Sequence, residues 1–482
     1  MKVGFSASGY RRWFYPLSAS ILALFTVVSF IWSQFYPYMM QVYGLSEVAP
    51  IALSASLMGV ALLLFQIPAG FAVDRVGPKI PMAASGLVFL AGALVVSRMF
   101  TIYFWEDAKT YWYIGSFLIG AGVALFVGTF PGLVGKWFVD RPGRAFGVTI
   151  AGQNLSPALL APLVAYIILS RSASDAPLLT LSVVASSTLP QQLLTLLLYY
   201  PLRRGMADAF VALGIIVLIL AYGVGVALWR NPPEGWTPSE LNNAGERSAV
   251  AVAEVALRDA VRDKRFWILF AIMVATAIGW FLFILNVATI IVEGLTRSVG
   301  IDASLVSYMR YFTTNELVIL ANYVVSYTSN TVVPFFMSIT AVANALGALT
   351  WGSLNDRIGG PLRTLPIVYT LAGVACMAFY LGYTNLALLF VLGVVVYFAL
   401  GGEPTVHFAA VPAFFGGKAA GRITVILNSS IALSSVIGPY IGAFIRDVTG
   451  TYFGSILLFT VLHLASTLIV VLGTRKLLKS GG

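Results

Sequence analysis

Two titratable side chains, Glu403 and His407, lie four positions apart inside one apolar segment. Residues at that spacing share a helix face, where a carboxylate and an imidazole could pass a proton or bind a polar group of a substrate. Glu403 lies about ten residues, or about 15 Å, from the predicted cytoplasmic end of its helix, near the middle of a bilayer core about 30 Å thick. Because an ionised carboxylate there costs roughly 2.5 kcal/mol or more, we expect Glu403 to face a water-filled cavity or to be protonated. The alternative is a neutral Glu403 bonded to a neighbouring helix, with His407 packed near the cytoplasmic mouth.

Uncharged polar and aromatic side chains in the other apolar segments are candidates for binding a substrate. Amides, hydroxyls and indole rings could orient a small polar molecule without a fixed cation. The candidate substrate-binding residues are Trp32, Tyr36, Gln153, Trp280, Asn344, Asn428 and Ser429. Hydrogen bonding between helices uses the same residue types and is the alternative interpretation. His463, in the last apolar segment, is interpreted as a packing residue whose hydrogen bonds are satisfied.

One short motif occurs twice, once around Asp74-Arg75 and once around Asp356-Arg357. The pair Gly143-Arg144 recurs as Gly421-Arg422 at nearly the same separation. Such a duplication is typical of transporters, whose substrate site lies between the two repeats. An aspartate at a helix end, followed by arginine and a turn glycine, can contact neighbouring helices in one conformation and release them in another. The predicted gating residues are Asp74, Arg75, Gly77, Arg144, Asp356, Arg357 and Arg422.

The composition indicates a chain embedded in a membrane. Hydrophobic residues make up 59% of the 482 positions and charged residues 10%, with a mean hydropathy of +0.89. A soluble domain could not keep so much apolar surface out of water. We therefore predict an all-α polytopic membrane protein with twelve transmembrane helices in two pseudo-symmetric six-helix bundles. The predicted spans are 16–39, 49–73, 80–103, 111–138, 145–169 and 206–229, then 266–292, 332–354, 365–383, 386–411, 423–445 and 452–472.

The basic residues predict the orientation of these spans. The net charge is +10, and most Lys and Arg fall in short loops that the positive-inside rule assigns to the cytoplasm. Both termini are therefore expected in the cytoplasm, and the first apolar run, which lacks a cleavage site, is expected to be a membrane helix rather than a signal peptide. The predicted divisions are an N-terminal bundle (1–229), a cytoplasmic linker (230–265), a C-terminal bundle (266–482), and outward insertions at about 171–204 and 297–330, which we interpret as interfacial or capping helices.

Several segments give the chain a resemblance to a known family. Gly70 to Lys79 resembles the loop signature between helices two and three of the major facilitator superfamily, and Gly352 to Gly360 resembles its second-half copy. More narrowly, the chain resembles the oxalate:formate antiporter family and its monocarboxylate-transporter relatives. The further resembling segments are Trp32-Ser33, Lys136-Trp137-Phe138 with Gly143, Asn231 to Trp236, Arg265-Phe266-Trp267, and Phe415 to Gly421.

The resemblance implies two six-helix bundles that rock against each other in alternating access. Oxalate-exchanging members of the family hold a dicarboxylate with an arginine in helix eight and a lysine in helix eleven. This chain has Ala348 at the position of that arginine. Its helix-eleven sequence, Asn428-Ser429-Ser430, contains no lysine. A monocarboxylate is therefore favoured over a dicarboxylate.

These observations predict a secondary transporter of a small organic acid, driven by proton coupling or by anion exchange, and not an enzyme. The alternatives are a proton-antiport exporter of a cationic or neutral amphipathic compound, and a nutrient sensor derived from a transporter. The sequence contains no enzyme-like cluster of acidic residues and histidines and no Walker phosphate-binding motif, and the lone Cys376 cannot form a cysteine metal site. We expect a monomer in the cell membrane that contacts lipid, a small organic anion, and protons or a counter-anion, with no metal, cofactor or nucleic acid.

Overall fold

The computed structural model describes residues 12–26, 28–138, 142–174, 191–233, 257–300, 323–415 and 420–479. Within these ranges, twelve helices are long and apolar enough to cross a membrane, so the predicted fold class is confirmed. We number these spans α1 to α12. A short helix, Leu257–Arg262, precedes α7.

The bounds of the spans are as follows. The first half contains α1 (Phe14–Tyr43), α2 (Ala49–Val76), α3 (Lys79–Met99), α4 (Trp105–Trp137), α5 (Pro142–Ser174) and α6 (Gln191–Leu220, continued by a π-helical turn, Ala221–Val226). The second half contains α7 (Lys264–Ile284 and Val287–Ser298), α8 (a π-helical turn, Thr328–Val332, and Val333–Ile358), α9 (Pro361–Gly382), α10 (Leu386–Phe415), α11 (Ala420–Thr449) and α12 (Phe453–Lys479).

The two halves repeat one packing scheme. In the first half α4 packs on α2 and α3, α3 on α6, and α1 on α5; in the second half α10 packs on α8 and α9, α9 on α12, and α7 on α11. The halves meet where α2 packs on α11 and where α5 packs on α8. The predicted pseudo-symmetric pair of six-helix bundles is therefore present.

Glycine allows the closest of these helix contacts, again at matching places in the two bundles. A Cβ atom at Gly128 of α4 would lie 2.1 Å from the carbonyl oxygen of Gln66 in α2, and one at Gly401 of α10 would lie 2.0 Å from the carbonyl oxygen of Asn344 in α8. Small residues let helix backbones approach in this way within membranes. These contacts fix the position of Asn344 beside the interface of the two bundles.

The first helix of each bundle is interrupted near its middle. In α1, a 3-10 turn at Val28–Gln34 precedes a second α-helical segment, Phe35–Tyr43. In α7, the helix stops at Ile284 and resumes at Val287. The two interruptions meet across the bundle interface, where the Ser33 hydroxyl donates to the Ile284 carbonyl at 3.2 Å. Interrupted helices expose backbone groups that can line a site between repeats.

Two helices, α6 and α8, begin much earlier than the sequence predicted. The α6 helix starts at Gln191 rather than at about Met206, and α8 is helical from Tyr323 rather than from about Val332. The sequence predicts a shorter α6 because Pro201 and Arg203 interrupt the apolar pattern. In the structure Arg203 is buried. Residues 175–190 and 301–322, in the two predicted insertions, and 234–256, in the predicted linker, lie outside the described residues.

Candidate functional site

A small pocket lies between the two bundles. Five helices line it, two from the first bundle and three from the second. The lining residues are Phe30 of α1, Asn154 and Pro157 of α5, Trp280 and Ile284 of α7, Met337, Ala341 and Asn344 of α8, and Tyr397 of α10. Its place at the junction of two repeats is the position expected of a substrate site.

The pocket offers hydrogen-bond donors but no charge among its described lining residues. Asn154 and Asn344 contribute side-chain amides, Tyr397 a hydroxyl and Trp280 an indole N–H. The Trp280 Nε1 atom is buried without a hydrogen-bond partner in the described part of the structure. A buried donor without an acceptor costs free energy, so an acceptor atom of a bound molecule would stabilise this position.

Aromatic contacts hold Trp280 in place. Its ring meets Phe30 of the other bundle edge to face, with centroids 5.2 Å apart, and meets Phe281 at 4.9 Å. Such contacts restrict the rotamer of a side chain that must present a polar atom at a fixed place. The indole is therefore positioned from both bundles, and a relative movement of the bundles would change the shape of the pocket.

Of the predicted substrate-binding residues, the structure brings Trp280 and Asn344 together in this pocket and leaves the others outside its lining. Trp32 lies inside the first bundle, where its ring stacks on Trp112 at 4.9 Å and its Nε1 donates to Ser54 at 2.9 Å. The Tyr36 hydroxyl is buried and has no partner within the described residues.

The predicted residues of α5 and α11 are also outside the lining of the pocket. Gln153 and Asn428 are half-buried, and the pocket is reached instead by Asn154, the neighbour of Gln153. The Ser429 hydroxyl donates to the Ile426 carbonyl of its own helix at 2.6 Å. Neighbouring residues on a helix point about 100° apart. Helix positions predicted from the sequence are too imprecise to decide which of the two faces the pocket.

Glu403 lies within the C-terminal bundle and does not line the pocket. Its Oε1 atom is 2.9 Å from Nε2 of His463 on α12, and the two residues are only 3% and 0% exposed. In this structure Glu403 is therefore bonded to a neighbouring helix, as in the alternative interpretation, and its protonation stays a prediction. His463 is buried with both ring nitrogens hydrogen-bonded, to the Phe459 carbonyl and to Glu403, as expected of a packing residue whose hydrogen bonds are satisfied.

His407 lies one turn from Glu403, as predicted, and is buried in the same region. Its Nε2 atom is hydrogen-bonded to the hydroxyl of Tyr369 on α9. The Tyr369 ring also contacts the ring of His463, with centroids 6.3 Å apart. Glu403, His463, Tyr369 and His407, here called the C-bundle cluster, thus join three helices of one bundle.

The bundles are joined by hydrogen bonds at the face opposite the N-terminus of α1 and the C-terminus of α12. Asp447, at the end of α11, accepts hydrogen bonds from the backbone N–H groups of Val48 (2.9 Å) and Ala49 (2.7 Å) at the start of α2. The adjacent Arg446 donates to the Ser46 carbonyl at 2.8 Å. Helix α2 has no cap from its own chain neighbours, so a carboxylate of the other bundle satisfies these amides and the helix dipole.

A second set of hydrogen bonds at the same face joins α1 of the first bundle to α8 of the second. The Tyr38 hydroxyl is 3.0 Å from the Ser329 carbonyl and 2.8 Å from Oδ1 of Asn330. Both residues lie in the π-helical turn of α8, whose wider spacing leaves carbonyl groups available. Contacts between the bundles therefore close this face of the molecule.

The predicted gating residues lie at the opposite face, which carries the chain termini. Arg75, Asp356 and Arg357 are exposed there. Gly77 ends α2 with a φ of +79°, a left-handed conformation that favours glycine. The side chains of Asp74, Arg144 and Arg422 lie outside the described part of the structure, so the gating role stays a prediction.

Two six-helix bundles with a pocket between them are the arrangement of a secondary membrane transporter. The model of the Major Facilitator Superfamily matches residues 17–314 and 303–480. The chain therefore belongs to this superfamily of transporters.

Curated relatives and solved structures agree with this family. The chain is 28% identical over 159 residues to an oxalate:formate antiporter of Oxalobacter formigenes and 31% identical over 125 residues to monocarboxylate transporter 13 of Rattus norvegicus. These matches cover 33% and 25% of this chain, and only 36% and 28% of the lengths of those relatives.

The fold is shared with a bacterial homolog of the human lysosomal transporter Spinster (TM-score 0.65, 13% identity, 97% of both chains). It is also shared with the E. coli fucose:proton symporter FucP (TM-score 0.56, 14% identity, 95% of this chain and 98% of that one). At these identities the similarity shows the fold alone.

Sequence reasoning missed several residues that the structure brings to these sites. Tyr397 lies six positions before Glu403 on α10, about 240° around the helix, so the two residues face different neighbours. This offset was readable from the sequence. The trans-bundle role of Asp447 was not, because its partners lie nearly 400 positions away and are backbone amides.

Proposed function

We propose that this protein moves a small organic acid, with a monocarboxylate favoured, across the cell membrane by alternating access, coupled to protons or to anion exchange. The observation that carries the proposal is the uncharged pocket between the bundles, in which the buried indole N–H of Trp280 has no hydrogen-bond partner among the described residues. Amide and indole N–H groups can bind the oxygen atoms of a carboxyl group. The names of the two curated relatives support an organic acid as the substrate class.

The absence of charge among the described lining residues favours a substrate with at most one negative charge. A dianion buried without a fixed cation would lose its hydration and gain no ionic partner. A monocarboxylate, or its neutral acid, has a smaller desolvation cost and can be held by donors such as Trp280 and Asn344. Entry of the anion together with a proton would keep the net charge of the occupied site near zero.

Uptake by reconstituted protein tests the substrate class. Proteoliposomes under an imposed pH gradient are given labelled lactate, formate, oxalate or a lipophilic cation. We expect accumulation of lactate or formate, driven by the gradient, and little accumulation of oxalate. Preferred transport of oxalate would contradict the monocarboxylate assignment, and expulsion of the lipophilic cation in exchange for protons would favour the exporter alternative.

Two variants test the pocket itself. Trp280→Phe removes the unpartnered indole N–H and keeps an aromatic ring, so we expect the KM for the transported acid to rise about tenfold, as for the loss of a hydrogen bond worth about 1.4 kcal/mol. The matched control is Trp267→Phe, on the same helix but exposed and away from the pocket. An equal change in both variants would remove Trp280 from the binding site.

Hydrogen bonds between α11 and α2 and between α1 and α8 close one face of the molecule. They support an alternating cycle in which these contacts form and break. We place both termini in the cytoplasm, which makes the closed face the outer one. Asp447→Ala removes the cap on α2 and should favour outward opening. In a Cys376→Ser background, a cysteine at Ser435, which packs against Gly59 of α2 across the interface, reports this opening through its labelling rate.

We expect Asp447→Ala to increase labelling at position 435 from outside by several fold. The control is Asp208→Ala, which removes an exposed ion pair with Arg171 inside the first bundle and should leave labelling unchanged. If labelling at position 435 does not respond to Asp447→Ala, the trans-bundle cap does not hold the outer face closed.

A further inference from the structure

The hydrogen bonds of His463 define where its protons lie. The Nδ1 atom is 2.8 Å from the Phe459 carbonyl oxygen, and a carbonyl oxygen can only accept, so Nδ1 carries a hydrogen. The Nε2 atom faces Oε1 of Glu403 at 2.9 Å. That contact is a hydrogen bond only if Glu403 is protonated and donates, or if His463 is an imidazolium and Glu403 is ionised.

Both arrangements contain one proton between the two residues and have no net charge. If the proton is removed, a carboxylate oxygen faces the lone pair of Nε2. If a second proton is added, the pair becomes a buried cation. Either change is costly at a position where the two residues are 3% and 0% exposed. The single-proton pair is therefore the stable form while the bundle stays closed around it.

The surroundings fix the imidazole in this position. The His463 ring stacks on Phe459, with centroids 4.0 Å apart. Gly279 of α7 lies against it, where a Cβ atom would come within 2.9 Å of Cε1. The ring is thus held by packing on one side and by the Phe459 carbonyl on the other, so it cannot turn away from Glu403 without a shift of α7 or α12.

The other titratable groups that face this pair are Tyr369 of α9 and His407 of α10. Tyr369 contacts both histidine rings, at centroid distances of 5.6 Å and 6.3 Å, and its hydroxyl is bonded to His407. His407 lies one turn nearer than Glu403 to the face that carries the termini. These two side chains provide hydrogen-bonding atoms between the pair and that face.

We propose that Glu403 and His463 jointly hold the one proton that is exchanged during transport, with His463 as the partner that takes the proton from Glu403 or returns it. This proposal rests on the proposed function and deepens it. The proton enters the pair from water at one face and leaves to water at the other, with no other bond made or broken. Movement of α7, which contributes both Gly279 to this pair and Trp280 to the pocket, connects the proton to the substrate.

Infrared titration of the purified full-length protein tests the pair without any substrate. The C=O stretch of a protonated carboxyl group is followed against pH, and the band that disappears in Glu403→Gln belongs to Glu403. In His463→Gln we expect this band to persist to more alkaline pH, by one unit or more, because no imidazole is present to take the proton. His463→Asn is a second variant in case the first fails to fold.

Glu293→Gln is the matched control, since Glu293 is a second buried glutamate of the same bundle. It should leave the Glu403 band unchanged. The proposal is overturned if the Glu403 band titrates at the same pH in wild type and in both His463 variants, or if Glu403→Gln removes no band between acidic and alkaline pH.

Transport measurements separate this proposal from the proposed function. Glu403→Gln and His463→Gln should lose pH-driven accumulation at least tenfold and retain exchange of labelled for unlabelled substrate without a gradient. If wild type transports none of the organic acids while the infrared titration behaves as expected, the substrate assignment fails and the proton pair stands. If the variants accumulate substrate like wild type, the pair does not carry the coupled proton.

Discussion

The two bundles share one packing scheme but contain buried charges of opposite sign. Near the face opposite the termini, the first bundle buries the guanidinium group of Arg203 and the second buries the carboxylate of Glu293. Each joins the ends of several helices, one by donating hydrogen bonds and the other by accepting them. A duplicated fold can therefore keep its architecture while the chemistry of each half diverges.

Arg203 contacts backbone carbonyl groups at the ends of α1 and α3. It donates to the carbonyls of Ile102 (2.7 Å), Val42 (3.0 Å) and Tyr103 (3.1 Å). Its guanidinium group also lies over the ring of Tyr43, 4.6 Å from the centroid. A cation near helix C-termini is favourable because their carbonyl groups carry partial negative charge.

Glu293 contacts donors at the ends of α9 and α12. It accepts from the hydroxyls of Tyr383 (3.0 Å) and Tyr380 (3.2 Å) and from the backbone N–H of Tyr452 (3.2 Å). Arg297 lies one turn away, with Nη2 3.6 Å from the carboxylate. Glu293 thus connects the second part of α7 to two other helices of its bundle.

The buried ionisable groups of the two bundles differ in whether they can change their protonation state. A guanidinium group stays charged in proteins, whereas carboxylate and imidazole groups can change protonation. Among the described residues, the buried arginines are Arg12 and Arg203 of the first bundle, and the buried carboxylates and histidines all belong to the second. Coupling to protons is therefore expected in the C-terminal bundle.

The largest effect is expected for Arg203→Ala. It removes three hydrogen bonds from a charged donor, one to a buried carbonyl group and two to partly buried ones, so we expect the free energy of unfolding to fall by roughly 3 kcal/mol. Thermal unfolding in detergent, followed by tryptophan fluorescence, measures the change. Arg98→Ala, which removes an exposed arginine of the same bundle, is the control. Equal unfolding temperatures for the two variants would contradict a structural role for Arg203.

A smaller effect is expected for Glu293→Gln. The amide keeps one acceptor oxygen but turns an N–H group toward donors, so we expect a loss of about 1–2 kcal/mol. The same unfolding assay applies, and Glu293→Ala should lose more than Glu293→Gln. If the two substitutions are equivalent, the hydroxyl and amide donors around Glu293 do not depend on its acceptor atoms, and the symmetry with Arg203 fails.

The smallest effect is expected at Asp263, which caps the start of α7 by accepting from the backbone N–H of Arg265 at 2.8 Å. Hydrogen bonds from the Arg265 side chain hold the pKa of Asp263 below its usual value, against a small opposing effect of burial. The stabilisation is therefore fully present above the unfolded pKa of about 3.9 and is lost as the pH falls through the folded pKa.

Because both side chains are partly exposed, the contribution of this ion pair is at most about 1 kcal/mol. Asp263→Asn keeps a capping oxygen and removes the titration. We expect the unfolding temperatures of wild type and this variant to differ slightly at pH 7 and to converge at acidic pH. A difference that grows as the pH falls would reverse the sign of the argument.

Much of the fold was predictable from the sequence, as were two of the four polar side chains that line the pocket. Hydropathy together with the distribution of basic residues indicates the twelve spans, since each span must cover its backbone hydrogen bonds and present apolar residues to lipid. Asn344 was selected because helix eight lines the bundle interface in the resembling fold, and Trp280 because aromatic residues cluster on the first helix of each half. Gln153 was selected where Asn154 lines the pocket, because helix phase depends on packing that a single sequence does not show.

The sequence by itself determined that the chain is a duplicated membrane bundle with a glutamate at mid-membrane depth, because apolar length and repeated motifs are local properties. Only the tertiary structure decided which way that glutamate faces. The rotation of α10 is set by its close contact with α8 at Gly401, and that rotation aims Tyr397 at the pocket and Glu403 at His463. The rotation of α10 depends on contacts between residues far apart in the chain, and such contacts leave no local pattern in the sequence.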